Sequence, residues 1–85
     1  MADHLLTFEI EPEQVTIHTD PDGLRHLIGR LQRLLAAAEQ NGNEHEHLMT
    51  PEWSGTDLTS EQQDGGEVVN HVQVFCWVTP HDRHA

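Results

Sequence analysis

Hydrophobic and polar residues alternate at the start of the chain. Hydrophobic residues occupy every second position in each of two runs: Leu6, Phe8 and Ile10 in the first, and Val15 and Ile17 in the second. A period of two is typical of strands with one buried face. Pro12 lies between the two runs, and proline lacks the backbone donor that a strand interior needs. The first twenty residues therefore predict an antiparallel hairpin.

The following segment has a helical period. Hydrophobic residues recur three or four positions apart, at Leu24, Leu27, Ile28, Leu31, Leu34, Leu35 and Ala38,. Asp20 suits an N-cap, Pro21 the first helical position and Gly42 a left-handed stop. The spacing predicts a helix of about twenty residues, long enough to cross one face of a small sheet. Residues off this stripe are expected to face solvent: Arg25, Arg30, Arg33 and Glu39.

Two further strands are predicted in the second half. Residues 43–49 predict a short strand that ends at Thr50-Pro51, and residues 67–78 form the most β-prone run of the chain. The order β-β-α-β-β predicts an α+β fold, in which one long helix packs on one face of a four-stranded, mainly antiparallel sheet. At 85 residues the chain has room for one domain,. We expect it to span residues 1–80, with residues 81–85 as a flexible tail.

The last predicted strand is hydrophobic on both faces. Cys76 and all the valines of this strand except Val69 share one parity, whereas Val69, Phe75 and Trp77 share the other. One helix covers only one of these faces, and a strand of this kind is usually covered on both. An exposed hydrophobic patch marks an interaction surface. The pattern therefore favours either a homodimer through the sheet faces or a different protein partner.

Composition restricts the classes of partner. Fifteen carboxylates against four arginines give a net charge of −11. Nucleic acids and anionic membranes would repel such a chain, whereas a basic protein would attract it. A single cysteine allows no internal disulfide, and the N-terminus carries no basic and apolar signal segment,. These features predict a cytoplasmic protein that binds neither nucleic acid nor membrane.

Catalytic chemistry has little support in the sequence. Cys76 lies within a hydrophobic strand, where a thiol is inert, and no nucleophile set or phosphate-binding glycine loop is present,. We expect no enzyme and no cofactor. His45 and His47 share one side of a strand, and with a third histidine such as His71 they could bind zinc. Because the spacing is unlike that of established zinc motifs, surface or cross-strand histidines are favoured over a small metal-binding module.

The segment His47-Leu48-Met49-Thr50-Pro51-Glu52-Trp53-Ser54-Gly55 resembles the immunity protein 32 family of bacterial polymorphic toxin systems. The resemblance also includes the hairpin, the helix start from Asp20 to Leu24, and the closing Asn70-His71-Val72. It departs at Ser54, where the family pattern has glycine. The resemblance implies a bacterial protein that is encoded beside a toxin and neutralises the toxin by binding. No contact or catalytic residues are carried over from the family.

The residues alone suggest where such binding would occur. Trp53 either closes the end of a small core or anchors a partner, and the former is slightly favoured. Phe75 and Trp77 offer a hydrophobic patch, and the neighbouring carboxylates Glu52 and Asp57 offer an acidic rim. These five residues are the expected partner-binding site. The function predicted is inhibition of a basic toxin by occlusion, and the alternatives are the metal-binding module and a homodimeric acidic domain of unknown role.

Overall fold

The computed structural model describes residues 4–60 and 65–78. Strands β1 (Leu6–Glu11) and β2 (Gln14–Thr19) form the predicted hairpin, in which Glu11 is paired with Gln14 across the two-residue turn. Helix α1 (Pro21–Asn41) follows, and then β3 (Glu44–Met49) and a short 3₁₀ turn, Pro51–Trp53. Strands β4 (Glu67–Val68) and β5 (His71–Cys76) complete the chain order. The predicted tail, residues 81–85, lies outside the described residues.

The ends of α1 follow the predicted signals. Asp20 is the N-cap, and its side chain accepts a hydrogen bond from the Gly23 backbone N–H at 2.7 Å. Gly42 has a positive φ of 94°, and its N–H donates to the Ala38 carbonyl at 2.9 Å. A residue with a Cβ adopts that backbone conformation at a cost, which glycine avoids. The local sequence thus determines both helix ends.

Gly23 is required for a second reason, which is the close approach of α1 to the start of β1. A Cβ at this position would lie 1.7 Å from the Leu5 carbonyl oxygen. The Asp20 N–H donates to the same carbonyl at 3.2 Å. The Asp-x-x-Gly pattern of the helix start therefore combines a cap with a backbone contact that no larger residue allows.

The α+β class with one long helix is confirmed, but the sheet is divided. One sheet has the order β2-β1-β4, and the other pairs β3 with β5, all antiparallel. The predicted last strand is split into β4 and β5 because its hydrogen-bonding partner changes between Val69 and Asn70. The Val69 N–H donates to the Phe8 carbonyl at 2.8 Å, whereas the Asn70 carbonyl accepts from the Thr50 N–H at 3.0 Å.

The core lies between α1 and the sheets. Leu6, Leu48 and Leu58 are fully buried, and Phe8, Leu27 and Val72 pack against them. Leu58 comes from the long loop after β3, and its N–H donates to the Met49 carbonyl at 3.1 Å. No helix within residues 4–60 and 65–78 is long and apolar enough to cross a membrane.

The helix packs on the sheets through only part of its hydrophobic stripe. Leu34 and Ala38 are buried. Leu27 is partly buried against the core, and four other stripe residues remain 41–54% exposed: Leu24, Ile28, Leu31 and Leu35. The contact is centred on Leu27, Leu34 and Ala38, and the stripe is wider than the area that the sheets cover.

Arg30 also departs from its expected exposure. Its side chain is only 17% exposed, and its guanidinium donates to Glu46 on β3 and to Asp57 in the following loop. The helical period places Arg30 beside the buried stripe, on the flank opposite Ile28. Proximity to β3 gives it partners there, so it does not extend into solvent.

Candidate partner-binding surface

The two faces of the β3–β5 pair differ in their cover. Leu48 and Val72 belong to the core beneath α1, and Glu46 reaches Arg30 on the same side. Because side chains alternate along a strand, residues of the other parity point away from the helix. This opposite face carries His45, His47, Met49, His71, Gln73 and Phe75. The helix therefore covers the valine and cysteine side of the last strand and leaves the aromatic side open.

Six rings on this open side form a continuous line, which we call the ring row. In order along the surface they are Trp53, His71, His47, His45, Phe75 and Trp77. Successive ring centroids lie 4.8–5.6 Å apart. These separations allow favourable stacked and edge contacts. The rings thus contact one another along the surface, where four of them are exposed and His47 and His71 are half-buried.

Three residues of the predicted site are members of the ring row. Trp53 is 53% exposed, Phe75 45% and Trp77 40%. Trp53 therefore lies on the surface and does not close the core. Phe75 and Trp77 are stacked nearly parallel at one end, with an interplanar angle of 6°, and Trp53 lies at the other end against His71. The structure places the three hydrophobic residues of the prediction on one surface.

The turn after β3 positions Trp53. Thr50 is fully buried, and its hydroxyl donates to the Asn70 side-chain oxygen at 2.7 Å. Its carbonyl accepts from the N–H groups of Trp53 and Gly55, each at 2.9 Å. Between them, Ser54 adopts a left-handed conformation with φ 66°. The turn is thereby bound to the point where the last strand changes partner, and Trp53 is directed along the ring row.

Glu52 stands beside Trp53 with its side chain in solvent. Its own backbone N–H and then the Ser60 hydroxyl lower the pKa of its carboxyl below the ordinary value. The Ser60 hydroxyl donates to the carboxylate at 2.9 Å. Glu52 is therefore an ionised group at the Trp53 end of the ring row.

Asp57 has different surroundings from the other four predicted residues. It is buried, and its carboxylate accepts hydrogen bonds from Arg30 and from His26 Nε2, the latter at 2.8 Å. His4 donates to the Asp57 backbone carbonyl at 2.7 Å and stacks on His26. Asp57 therefore connects α1 to the loop after β3, and it does not lie with Glu52 at the surface.

This polar cluster of His26, Arg30, Glu46 and Asp57 was not anticipated from the sequence. The Arg30 guanidinium also donates to the His47 backbone carbonyl at 2.9 Å. One signal was available: Glu46 has the same strand parity as the buried Leu48, so it had to face the helix. A carboxylate in that position requires a cation or donor nearby.

The three candidate metal ligands are neighbours in the ring row. However, His47 Nδ1 and His71 Nε2 lie 2.7 Å apart, so one nitrogen donates its proton to the other. His45 meets His47 edge-on and Phe75 face-on. Within residues 4–60 and 65–78, no group of three or more His, Cys, Asp or Glu side chains is arranged to hold a metal ion.

Comparison with known proteins identifies a family. No curated protein and no solved structure matched the chain. The family model for immunity protein 32 matches residues 14–72, about two thirds of the chain. The matched region includes β2, the whole of α1 and β3, and the start of β5. The chain therefore belongs to the immunity protein 32 family.

Proposed function

We propose that this protein neutralises a toxin domain by binding it through the ring row. The observation that carries the proposal is the continuous line of rings, exposed at both ends, on the side of β3 and β5 that the helix leaves open. Tryptophan is the residue most enriched among those that dominate binding energy at interfaces. Membership of an immunity family makes a toxin the appropriate partner.

The rigidity of the ring row supports its use in binding. Ordering a side chain at an interface costs conformational entropy, and a ring that is already packed against its neighbours has less freedom to lose. Each imidazole also adds hydrogen-bonding nitrogens between the hydrophobic ends. Trp53 and Trp77 would anchor the two ends, and His45 would make polar contacts between them.

Charge supports a basic partner. The chain carries a net charge of −11, and Glu52 is ionised at the Trp53 end of the row. Opposite charges accelerate association, and salt screens this effect. We expect binding to cover the toxin and to involve no chemical step, and we expect this to occur in the cytoplasm. The association rate should fall as salt rises, while the dissociation rate should change little.

A growth assay tests the proposal. The toxin domain encoded next to this protein's gene is expressed with the wild-type protein or a variant. The Trp53→Ala and Glu52→Lys variants should lose protection while they remain folded by circular dichroism. Matched controls on the exposed side of the helix are Gln40→Ala and Glu39→Lys, which should protect fully. Full protection by both the Trp53→Ala and the Glu52→Lys variants would contradict the proposal.

A further inference from the structure

The exposed part of the helix stripe forms a second hydrophobic surface, which we call the helix seam. It consists of Leu24, Ile28, Leu31 and Leu35, which are 41–54% exposed. Their spacings of four, three and four residues alternate like the a and d positions of a coiled coil. The seam lies on the flank of α1 opposite Arg30, and Arg30 faces β3,. The seam therefore faces the β1–β2 side of the molecule.

The hairpin carries further exposed hydrophobic side chains on the side of its sheet that faces the helix. Phe8 faces the core, and strand alternation with the β1–β2 register places Ile10, Val15 and Ile17 on the same side. These three residues are exposed as well. A homodimer interface of standard size buries about 800 Å² per partner, roughly 65% of it apolar. Seven half-exposed aliphatic side chains supply apolar area on the order of 500 Å², which matches that requirement.

We propose that the occupant of this surface is a second copy of the same chain, with the two helices antiparallel. A two-fold axis between Gly29 and Arg30 would pair Leu24 with Leu35 of the second copy, and Ile28 with Leu31. Each pair then occurs twice, as an isologous interface requires. The seam is thus complementary to itself.

The charge of the helix permits this contact. The chain as a whole is strongly acidic, so most approaches of two copies are repulsive,. The exposed side of helix α1 is close to neutral, because Arg30 is paired with Glu46 and Asp57, which leaves Arg25 and Arg33 against Asp22 and Glu39. Of these, Asp22 is paired with Arg25. The seam is also entirely apolar, in keeping with the more apolar character of homodimer interfaces, whereas the ring row contains polar imidazoles,.

Sedimentation equilibrium over low to high micromolar concentrations tests the proposal. The wild-type protein should show twice the chain mass of 9.7 kDa. Ile28→Glu keeps a good helix former at an exposed position and should weaken dimerisation at least ~30-fold, because the residue occurs twice at the centre of the interface. Leu35→Glu provides a second, more exposed seam variant. Ala36→Glu adds the same charge on the exposed side of the helix, away from the seam, and should leave the dimer intact.

Two results would overturn the dimer. One is a monomer of the wild-type protein at the highest concentration. The other is a dimer that survives both seam variants but dissociates on Phe75→Glu, which would place the interface at the ring row. Because toxin binding uses the opposite face, Ile28→Glu should still protect cells, so failure of the dimer is distinguishable from failure of the proposed function.

Discussion

The ring row and the helix seam are both exposed and hydrophobic, yet they differ in every property that selects a partner. The ring row combines aromatic groups with imidazole nitrogens and has an ionised Glu52 beside it. The seam is aliphatic and periodic, and it lies on a helix whose other exposed charges balance. Exposed hydrophobic area alone therefore says little about what binds, and the chemistry and repeat of the exposed groups say more.

The largest effect should follow loss of both ends of the ring row. The double variant Trp53→Ala/Trp77→Ala removes the two anchors that are proposed to contact the toxin. Interface tryptophans each cost about 2 kcal/mol or more on truncation, so affinity should fall by a factor on the order of 10³. Calorimetric titration with the toxin domain measures the change.

The control for this loss comes from the other surface. Leu35→Ala removes exposed hydrophobic area from the seam and should leave toxin affinity within a factor of two or three. An equal loss of affinity for this variant would mean that the two surfaces do not have separate partners.

The polar flank of α1 gives the next largest effect. Arg30→Met leaves the carboxylates of Glu46 and Asp57 without their cation in a largely buried position. Such unpaired charges should lower the free energy of unfolding by about 2–3 kcal/mol, as measured by urea denaturation. Arg33→Met, at an exposed position of the same helix, should change stability by less than about 0.5 kcal/mol. Equal effects of the two variants would show that the cluster does not hold the helix to the sheets.

The turn that positions Trp53 should become more stable in the Ser54→Gly variant. Ser54 adopts a left-handed backbone conformation, with φ 66°. Removing the Cβ should stabilise the protein by about 1 kcal/mol, since a residue with a Cβ is strained in this conformation. Thr56→Gly, at a nearby position without positive φ, should instead destabilise it by about 0.5–1 kcal/mol. Thermal melts of both variants should therefore shift in opposite directions.

The helix cap gives a pH dependence of known sign. The Gly23 N–H donates to Asp20 and lowers the pKa of that carboxyl below 3.8 in the folded protein. The stabilisation is therefore fully present above pH 3.8 and is lost as the pH falls through the folded pKa,. Because Asn caps helices without ionising, the wild-type protein should lose a few degrees of Tm relative to Asp20→Asn as the pH falls from 5 to about 3. A difference in Tm between the two proteins that does not change over this pH range would contradict the role of Asp20 as an ionised cap.

The smallest effect concerns zinc. Since one of the His47 and His71 nitrogens donates to the other, and the described residues hold no group of three or more side chains arranged for a metal ion, stoichiometric zinc should leave Tm unchanged. A rise in Tm that is lost in His45→Ala would support the metal-binding alternative.

Features set by neighbouring residues were predictable from the sequence. The hairpin, both helix caps and the α+β order follow from periodicity and local hydrogen bonding. The placement of Phe75 and Trp77 on the open face needed one further fact, which was the side that the helix covers. The polar cluster depends on pairs far apart in the chain, such as Arg30 with Asp57, and local patterns do not specify such pairs.

The extent of helix burial was also beyond the sequence. A hydrophobic stripe shows which side of a helix is apolar, but the width that is buried depends on how much sheet lies beneath it. Leu34 is buried while the adjacent Leu35 is half exposed, although both fit the stripe. The exposed remainder of the stripe is the helix seam, at which we propose that a second copy binds.

The most direct test of the central claim is a map of the toxin contact by NMR. Unlabelled toxin domain is added to the isotopically labelled protein, and perturbed signals are assigned. The account predicts changes at both ends of the ring row, at Trp53 and Trp77, with little change at Leu24 and Leu35. Changes confined to the helix seam, with the ring row unaffected, would contradict it.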